Sequence, residues 1–124
     1  MEPNHLHLHV RDVTRAVAFY RRWFGLRLGP VHDGGALRFV VSRRGFDLAL
    51  MRDRRPAPMP RWFHLGFRQP SAAAVGALHR RMRAARLAVS PAPHAEPGFA
   101  SFRVRDPDGY AIEIYWESRA FRRG

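Results

Sequence analysis

Two stretches of this chain repeat the same residues in the same order at a constant spacing of 59 positions. The aligned residues are His5 with His64, Leu6 with Leu65, Arg21-Arg22 with Arg80-Arg81, and Arg27-Leu28 with Arg86-Leu87. Arginine is abundant in the chain, so the arginine matches carry little weight, but a histidine at the start of both apolar segments is informative. An internal repeat of this length predicts a fold built from two similar modules.

Each half of the repeat predicts the order β-α-β-β-β. Residues 5–10, HLHLHV, alternate histidines with apolar residues, as in a strand with one polar and one buried face. Residues 11–25 predict a helix in which Asp12 or Thr14 caps the start and Gly25 ends it, with Phe19 and Tyr20 on its core stripe. Three short strand-like runs broken by glycine and proline follow.

The second half begins with a predicted strand at 62–68 and a helix at 71–87. Val75, Leu78, Met82 and Ala85 are expected on the buried stripe of that helix. Three more strands follow, and the last one starts after an Asp-Pro-Asp-Gly turn at 106–109. We predict an α+β fold in which two tandem β-α-β-β-β modules form a curved mixed sheet around a metal-binding cavity, with the helices outside.

The predicted boundaries are a first module at about 4–52, a linker at about 53–60 rich in proline and arginine, and a second module at about 61–118, all within one domain at 1–124.

Composition limits the classes of function. The chain has no cysteine, so any metal must be held by imidazole and carboxylate groups.

No apolar run approaches the roughly 18 residues of a membrane span, and no signal peptide is evident, so we expect a cytoplasmic protein. The net charge is +12, but the basic residues are all arginine and are scattered along the chain. Nucleic-acid binding would rest on that charge alone, so we expect a small-molecule substrate, for which the charge hints at an anion.

Strand alternation places His5, His64 and Glu113 on polar faces opposite the apolar faces of their strands. Two histidines and one carboxylate can occupy one side of the coordination sphere of a divalent ion and leave other positions open. An open position is what a catalytic metal requires.

The two ends of the chain resemble the vicinal-oxygen-chelate superfamily. Residues 5–29 are similar to its opening: a strand-borne histidine, an aspartate seven residues later, a Phe-Tyr pair in the helix and then Phe-Gly-Leu. Residues 106–117 are similar to its closing strand, with a glutamate four residues after the glycine of the turn. The superfamily includes glyoxalase I, fosfomycin-resistance transferases, extradiol dioxygenases, methylmalonyl-CoA epimerases and metal-free bleomycin-binding proteins.

The resemblance implies that His5, His64 and Glu113 bind a divalent metal, Fe, Mn, Ni or Zn, which holds two neighbouring oxygens of a substrate. It also implies a homodimer whose sites are shared between chains. The implied enzyme is a lyase or isomerase, a transferase or a dioxygenase, and the alternative is a metal-independent drug-binding resistance protein.

One position departs from the glyoxalase I pattern. Aligning the last strands of the two modules by their glycines matches Glu113 with Ala49, where glyoxalase I has an acidic fourth ligand. Asp47 lies two residues away on the same face and is a candidate substitute. The reaction class therefore stays open at this point.

Further candidates lie near the expected ligands. His7 is a candidate general base or substrate contact, and Tyr115 a candidate donor to a substrate oxyanion. Trp62 is a candidate pocket wall, and Arg103 and Arg122 are candidates for binding an anionic substrate. The remaining histidines are expected to be structural, packed or exposed: His9, His32, His79 and His94.

Overall fold

The computed structural model describes residues 1–124 and divides them into two units, residues 1–59 and 60–124. The boundary falls within the segment at 53–60 that the sequence predicts as a linker. Each unit contains a four-stranded mixed sheet and at least one helix, so the predicted α+β class with two β-α-β-β-β modules is confirmed.

The first unit has its five main elements where the sequence predicts them. They are β1 (His5–Val10), α1 (Val13–Phe24), β2 (Arg27–His32), β3 (Leu37–Val41) and β4 (Asp47–Arg52). The strand order is β1-β4-β3-β2, in which β1 runs parallel to β4 and the other neighbours are antiparallel. The helix packs against β2, β3 and β4.

The second unit repeats this arrangement. Its elements are β5 (Leu65–Arg68), α2 (Ala72–Ala84), β6 (His94–Glu96), β7 (Phe99–Arg105), β8 (Ala111–Glu117) and α3 (Arg119–Arg123). The strand order is β5-β8-β7-β6, with β5 parallel to β8, and α2 packs against β7 and β8. None of the three helices has the length and apolar character of a membrane span.

The start of each long helix is fixed in the same way. The carboxylate of Asp12 accepts a hydrogen bond from the amide of Arg15 at 3.0 Å, and the hydroxyl of Ser71 accepts one from the amide of Ala74 at 3.1 Å. Each contact satisfies an amide that has no partner within its helix. Asp12 and Ser71 are 59 positions apart, so the spacing of the repeat extends to the helix caps.

Each sheet buries its apolar face under its own helix. In the first unit Leu8, Val10 and Tyr20 are buried, and in the second unit Ile112 and Ile114 are completely buried. The histidines of β1 are exposed on the opposite face, which confirms the strand alternation read from HLHLHV. The polar face of each sheet is therefore free to carry function.

Three expectations are corrected. The second module's first strand begins at Leu65 rather than at 62, because the amide of Phe63 donates to the carbonyl of Pro60 at 3.0 Å and closes a turn there. Ala85 is exposed instead of buried, because α2 ends at Ala84, and His79 takes a buried place on the stripe.

The third correction is the short helix α3, which no sequence pattern predicted because it carries a single apolar anchor. The ring of Phe121 stacks on that of Phe99 at a centroid distance of 4.9 Å.

Candidate metal centre

Two of the predicted ligands meet on the polar face of the second sheet. His64 directly precedes β5, and the parallel register places Gly66 beside Glu113 on β8. The Nε2 atom of His64 lies 3.3 Å from Oε2 of Glu113, and both side chains are partly exposed. A donor pair of one imidazole and one carboxylate is thus assembled at an accessible position.

A backbone contact fixes the orientation of the His64 ring. Its Nδ1 donates to the carbonyl oxygen of Trp62 at 2.9 Å. A carbonyl can only accept a hydrogen bond, so Nδ1 must carry a proton. In the neutral ring Nε2 then presents a lone pair, which is the arrangement of most metal-binding histidines.

The distance within the pair fits a shared cation. In the neutral ring, Nε2 of His64 and Oε2 of Glu113 are two acceptors that face each other, which is favourable only when a proton or a metal ion lies between them. Donors bound at tetrahedral or octahedral angles to one divalent ion are about 2.9 to 3.5 Å apart, and the observed distance of 3.3 Å lies in that range. The donor set present therefore fits a divalent metal.

The third predicted ligand, His5, lies in the first unit. Its Nδ1 is 2.9 Å from the side-chain oxygen of Asn4, so Nε2 of His5 is also left available. The parallel register places Asp47 of β4 beside His5. Neither unit by itself gathers three histidine, aspartate or glutamate side chains that could hold a metal. The role of His5 as a ligand stays a prediction.

The register also identifies the counterpart of Glu113 in the first unit. Gly66 of β5 lies beside Glu113, and His7 of β1 lies beside Ala49 in the same kind of parallel pair. Ala49 is 2% exposed and carries no donor. The first sheet therefore lacks a carboxylate at the position where the second sheet has one, and Asp47 lies two residues before Ala49 on β4.

Two further candidates share the sheet face of Glu113. Arg103 on β7 lies directly opposite Glu113 in the antiparallel register. Tyr115 lies two residues after Glu113 on β8, beside Arg68 of β5. Because alternate residues of a strand point to the same face, Arg103 and Tyr115 flank the carboxylate. Their roles toward a substrate stay predictions.

Trp62 and Arg122 have different surroundings. The Trp62 residue is 75% exposed, and its contact with His64 is made by its backbone carbonyl. Arg122 on α3 forms an ion pair with Glu117, with 3.8 Å between Nη1 and Oε1. The roles proposed for both side chains stay predictions.

The remaining histidines are structural, packed or exposed, as expected. His79 is buried, and its Nε2 donates to the carbonyl of Ser90 at 2.8 Å. His32 is exposed, and His94 forms an exposed pair with Glu96 at 3.0 Å. Phe19 and Tyr20 are buried on α1, as their spacing predicted.

The exposed His9 holds a carboxylate in its charged form. Its Nδ1 is 2.8 Å from Oδ2 of Asp53, and Oδ1 of Asp53 accepts a hydrogen bond from the amide of Arg55. The contact with His9, followed by that amide, lowers the pKa of Asp53 below its ordinary value. This pair fastens the start of the linker to the first strand.

The contacts that orient the candidate ligands were not predicted from the sequence. Asn4 and the carbonyl of Trp62 each fix a histidine ring, but an asparagine beside a histidine and a backbone carbonyl carry no sequence signal. The site therefore depends on backbone geometry as much as on residue type.

Comparison with known protein families gives one family for nearly the whole chain. Residues 2–114 match the model of the Glyoxalase/Bleomycin resistance protein/Dioxygenase superfamily. An uncharacterised protein of Pseudomonas aeruginosa is 33% identical over 119 residues, which cover 89% of this chain and 84% of that protein.

Solved structures agree with that match. A possible glyoxalase from Bacillus cereus is 32% identical, with a TM-score of 0.81, over 92% of this chain and 97% of that chain. A lactoylglutathione lyase from Agrobacterium tumefaciens is 29% identical, with a TM-score of 0.71, over 92% of both chains.

Proposed function

Since this chain belongs to the Glyoxalase/Bleomycin resistance protein/Dioxygenase superfamily, we propose that it is a divalent-metal-dependent enzyme that acts on a small oxygenated molecule. The observation that carries the proposal is the pair formed by His64 and Glu113, with 3.3 Å between Nε2 and Oε2. The carbonyl of Trp62 fixes the ring so that this nitrogen is available to a metal.

His64 and Glu113 would hold the metal, and His5 is proposed as the third ligand, contributed by the same chain or by a second copy in a homodimer. A bound divalent ion would act as a Lewis acid on two neighbouring substrate oxygens and stabilise negative charge on them. Fe, Mn, Ni and Zn are the candidates.

The other candidate side chains have separate proposed tasks. The hydroxyl of Tyr115 donates a hydrogen bond to a substrate oxygen that gains negative charge, which lowers the cost of forming an oxyanion. His7 accepts a proton as general base. Trp62 shields the substrate from water, while Arg103 and Arg122 attract its negative charge.

Two observations bear on the reaction class and favour different answers. Likeness to a lactoylglutathione lyase favours lyase or isomerase chemistry, whereas Ala49 supplies no acidic ligand where Glu113 has its counterpart in the first sheet. Asp47 beside His5 is the available substitute if the reaction is of the glyoxalase kind. Transferase and dioxygenase chemistry require no such carboxylate and remain part of the proposal.

The test is the metal content of protein purified without chelator or affinity tag. We expect about one transition metal per chain, and we expect the His64→Ala variant to lose it because half of the donor pair is removed. The matched control is His94→Ala, which removes an exposed histidine of the same unit and should keep the metal. Iron would favour a dioxygenase, whereas nickel, zinc or manganese would favour isomerisation or addition.

A metal-free binding protein of the bleomycin-binding kind is the alternative. A proton shared by His64 and Glu113 would satisfy the pair without a metal, as an ion pair. Wild-type protein that contains no metal, takes none up on reconstitution and still binds a ligand stoichiometrically would contradict the proposed enzyme and support this alternative.

A further inference from the structure

We propose that a cavity in the second unit, lined by Arg61, Arg103 and Arg105, binds the anionic group of the substrate as a compact oxyanion such as phosphate or carboxylate. The assignment to the substrate rests on the proposed function, because it requires the same molecule to reach His64 and Glu113. The binding of an anion to this cavity does not depend on the proposed function.

The cavity has a volume of about 360 Å³, which is within the range of small-molecule sites. The residues that line it are Arg61, Ala88, Val89, Ser90, Arg103, Val104, Arg105 and Ala111. Three of them are cationic and none is acidic. A cavity of this composition selects for negative charge.

The guanidinium groups retain capacity for a ligand. Neither Arg61 nor Arg103 uses its side chain in an ion pair or a hydrogen bond within the protein. Arg105 commits one nitrogen, Nη1, to the carbonyl of Gly109 at 2.8 Å, which leaves its other donors available. Converging cations repel each other, and planar guanidinium groups match the oxygens of a carboxylate or phosphate.

The wall of the cavity is held in place without a ligand. The amide of Ser90 donates to the carbonyl of Arg103 at 2.8 Å, and the amide of Arg105 donates to the carbonyl of Ala88 at 3.0 Å. The Ser90 hydroxyl accepts from the amide of Arg103 at 3.2 Å, and the buried His79 donates to the Ser90 carbonyl. The backbone of the site is therefore formed before an anion enters, and the ordering cost of binding is confined to the arginine side chains.

The position of the cavity links it to the candidate metal centre. Arg103 is the antiparallel partner of Glu113, and Ala111 precedes Glu113 by two residues on the same strand face. A substrate whose anionic group lies among the arginines would present its adjacent atoms to His64 and Glu113.

The corresponding positions of the first unit differ. Ala49 is the counterpart of Glu113. The residue opposite Ala49 on β3 is Phe39, whereas the residue opposite Glu113 on β7 is Arg103. Val41 corresponds in the same way to Arg105. The paired arginines are therefore not a requirement of the fold, since the same sheet forms with apolar residues.

The test is calorimetric titration of inorganic phosphate into chelator-treated protein at constant ionic strength, with acetate titrated in parallel to separate phosphate from carboxylate preference. We expect saturable binding of one anion per chain. Arg61→Gln and Arg103→Gln should each weaken it about tenfold or more, because each removes charged hydrogen bonds. Arg103→Lys keeps the charge but loses the planar fork, so it should recover only part of the affinity.

The matched control is Arg119→Gln, which removes the same charge from an exposed position of the same unit and should change affinity less than about twofold. Equal weakening by Arg119→Gln and Arg103→Gln would show non-specific attraction and overturn the inference. So would the absence of saturable binding of either anion. Thermal denaturation of each variant verifies that it is folded.

Returning Mn²⁺ to the phosphate-bound protein separates the two proposals. Broadening of the ³¹P resonance that His64→Ala abolishes would support one continuous substrate site. If phosphate and Mn²⁺ both bind but the ³¹P resonance is not broadened, the assignment of the cavity to the substrate's anionic group would be contradicted. Failure to bind Mn²⁺ or any of the other three candidate metals would contradict the proposed metal enzyme, while the phosphate titration would still decide whether the arginine cavity is an anion site.

Discussion

The two sheets share a strand order and a packing pattern but carry different polar faces. On the first, β1 presents His5, His7 and His9, and the position opposite Ala49 is occupied by Phe39. On the second, His64 meets Glu113, and Arg103 lies opposite that carboxylate. The same architecture therefore supports an imidazole-rich, partly apolar face in one unit and an ionic face in the other.

This difference separates what the scaffold requires from what the site requires. The buried faces have interchangeable aliphatic residues, since Leu48 and Ile112 occupy equivalent positions and are both completely buried. The opposite faces differ between the two sheets, as at Ala49 and Glu113. Function can thus be changed at those positions while the modules keep their fold.

The largest expected effect concerns the buried faces of the two sheets. Leu48→Ala and Ile112→Ala remove buried aliphatic groups from equivalent positions of the two sheets, and each should lower the free energy of unfolding by about 2 to 5 kcal/mol. Chemical denaturation measures both losses. A loss below about 1 kcal/mol in one variant alone would show that the two scaffolds are not equivalent.

The next effect concerns the carboxylate that only the second sheet has at its central position. Glu113→Ala gives the second sheet the residue that the first has at Ala49. We expect the affinity for a divalent metal to fall more than about 100-fold, because removing a ligand should weaken metal binding more than removing a residue that only orients a ligand. Titration with Zn²⁺ against a competing chelator measures it. Glu96→Ala, an exposed carboxylate on β6, is the control, and an equal loss in both would refute the assignment of Glu113.

The helix caps should have smaller and similar effects. Asp12→Ala and Ser71→Ala each remove the side-chain acceptor for an amide in the first turn, and each should lower the free energy of unfolding by about 0.5 to 2 kcal/mol. Thermal or chemical denaturation measures the change. Thr14→Ala serves as the control for α1, because Thr14 is exposed and lies inside the helix; a larger loss there would contradict the role of Asp12.

The smallest effect is a pH dependence confined to the first unit. His9 and the amide of Arg55 lower the pKa of Asp53, so the folded state favours the ionised carboxylate. This contribution is fully present above the ordinary pKa of aspartate and is lost as the pH falls through the lowered value. Asp53→Asn should therefore slightly lower Tm at pH 7, and the difference from wild type should shrink as the pH falls below the ordinary pKa of aspartate; a difference that grows on acidification would contradict this account.

Regular periodicity made most of the fold predictable from sequence. The alternation at 5–10 identified β1 with its observed bounds, and the helical stripe with Gly25 identified α1. The errors arose at Phe63, where a backbone turn delays the start of β5, and at α3, where the Ser118 hydroxyl caps a short helix whose single aromatic anchor is Phe121.

The candidate site was predictable to a smaller extent. The shared spacing of His5 and His64 and the position of Glu113 after a tight turn were visible as residue types. The sequence did not distinguish Arg61 and Arg105 from the other arginines, which make up all of the Lys and Arg residues of this chain. Only the fold identifies the arginines that line one cavity. The proton on Nδ1 of His64 likewise depends on a carbonyl that the sequence does not mark.

The most direct measurement is anomalous diffraction from crystals of the protein loaded with Mn²⁺ or Zn²⁺, recorded at the absorption edge of the metal. The account predicts an anomalous peak within bonding distance of both Nε2 of His64 and Oε2 of Glu113, with Nδ1 still directed at the carbonyl of Trp62. A loaded crystal whose peaks all lie away from this pair, or one that shows no peak, would contradict it.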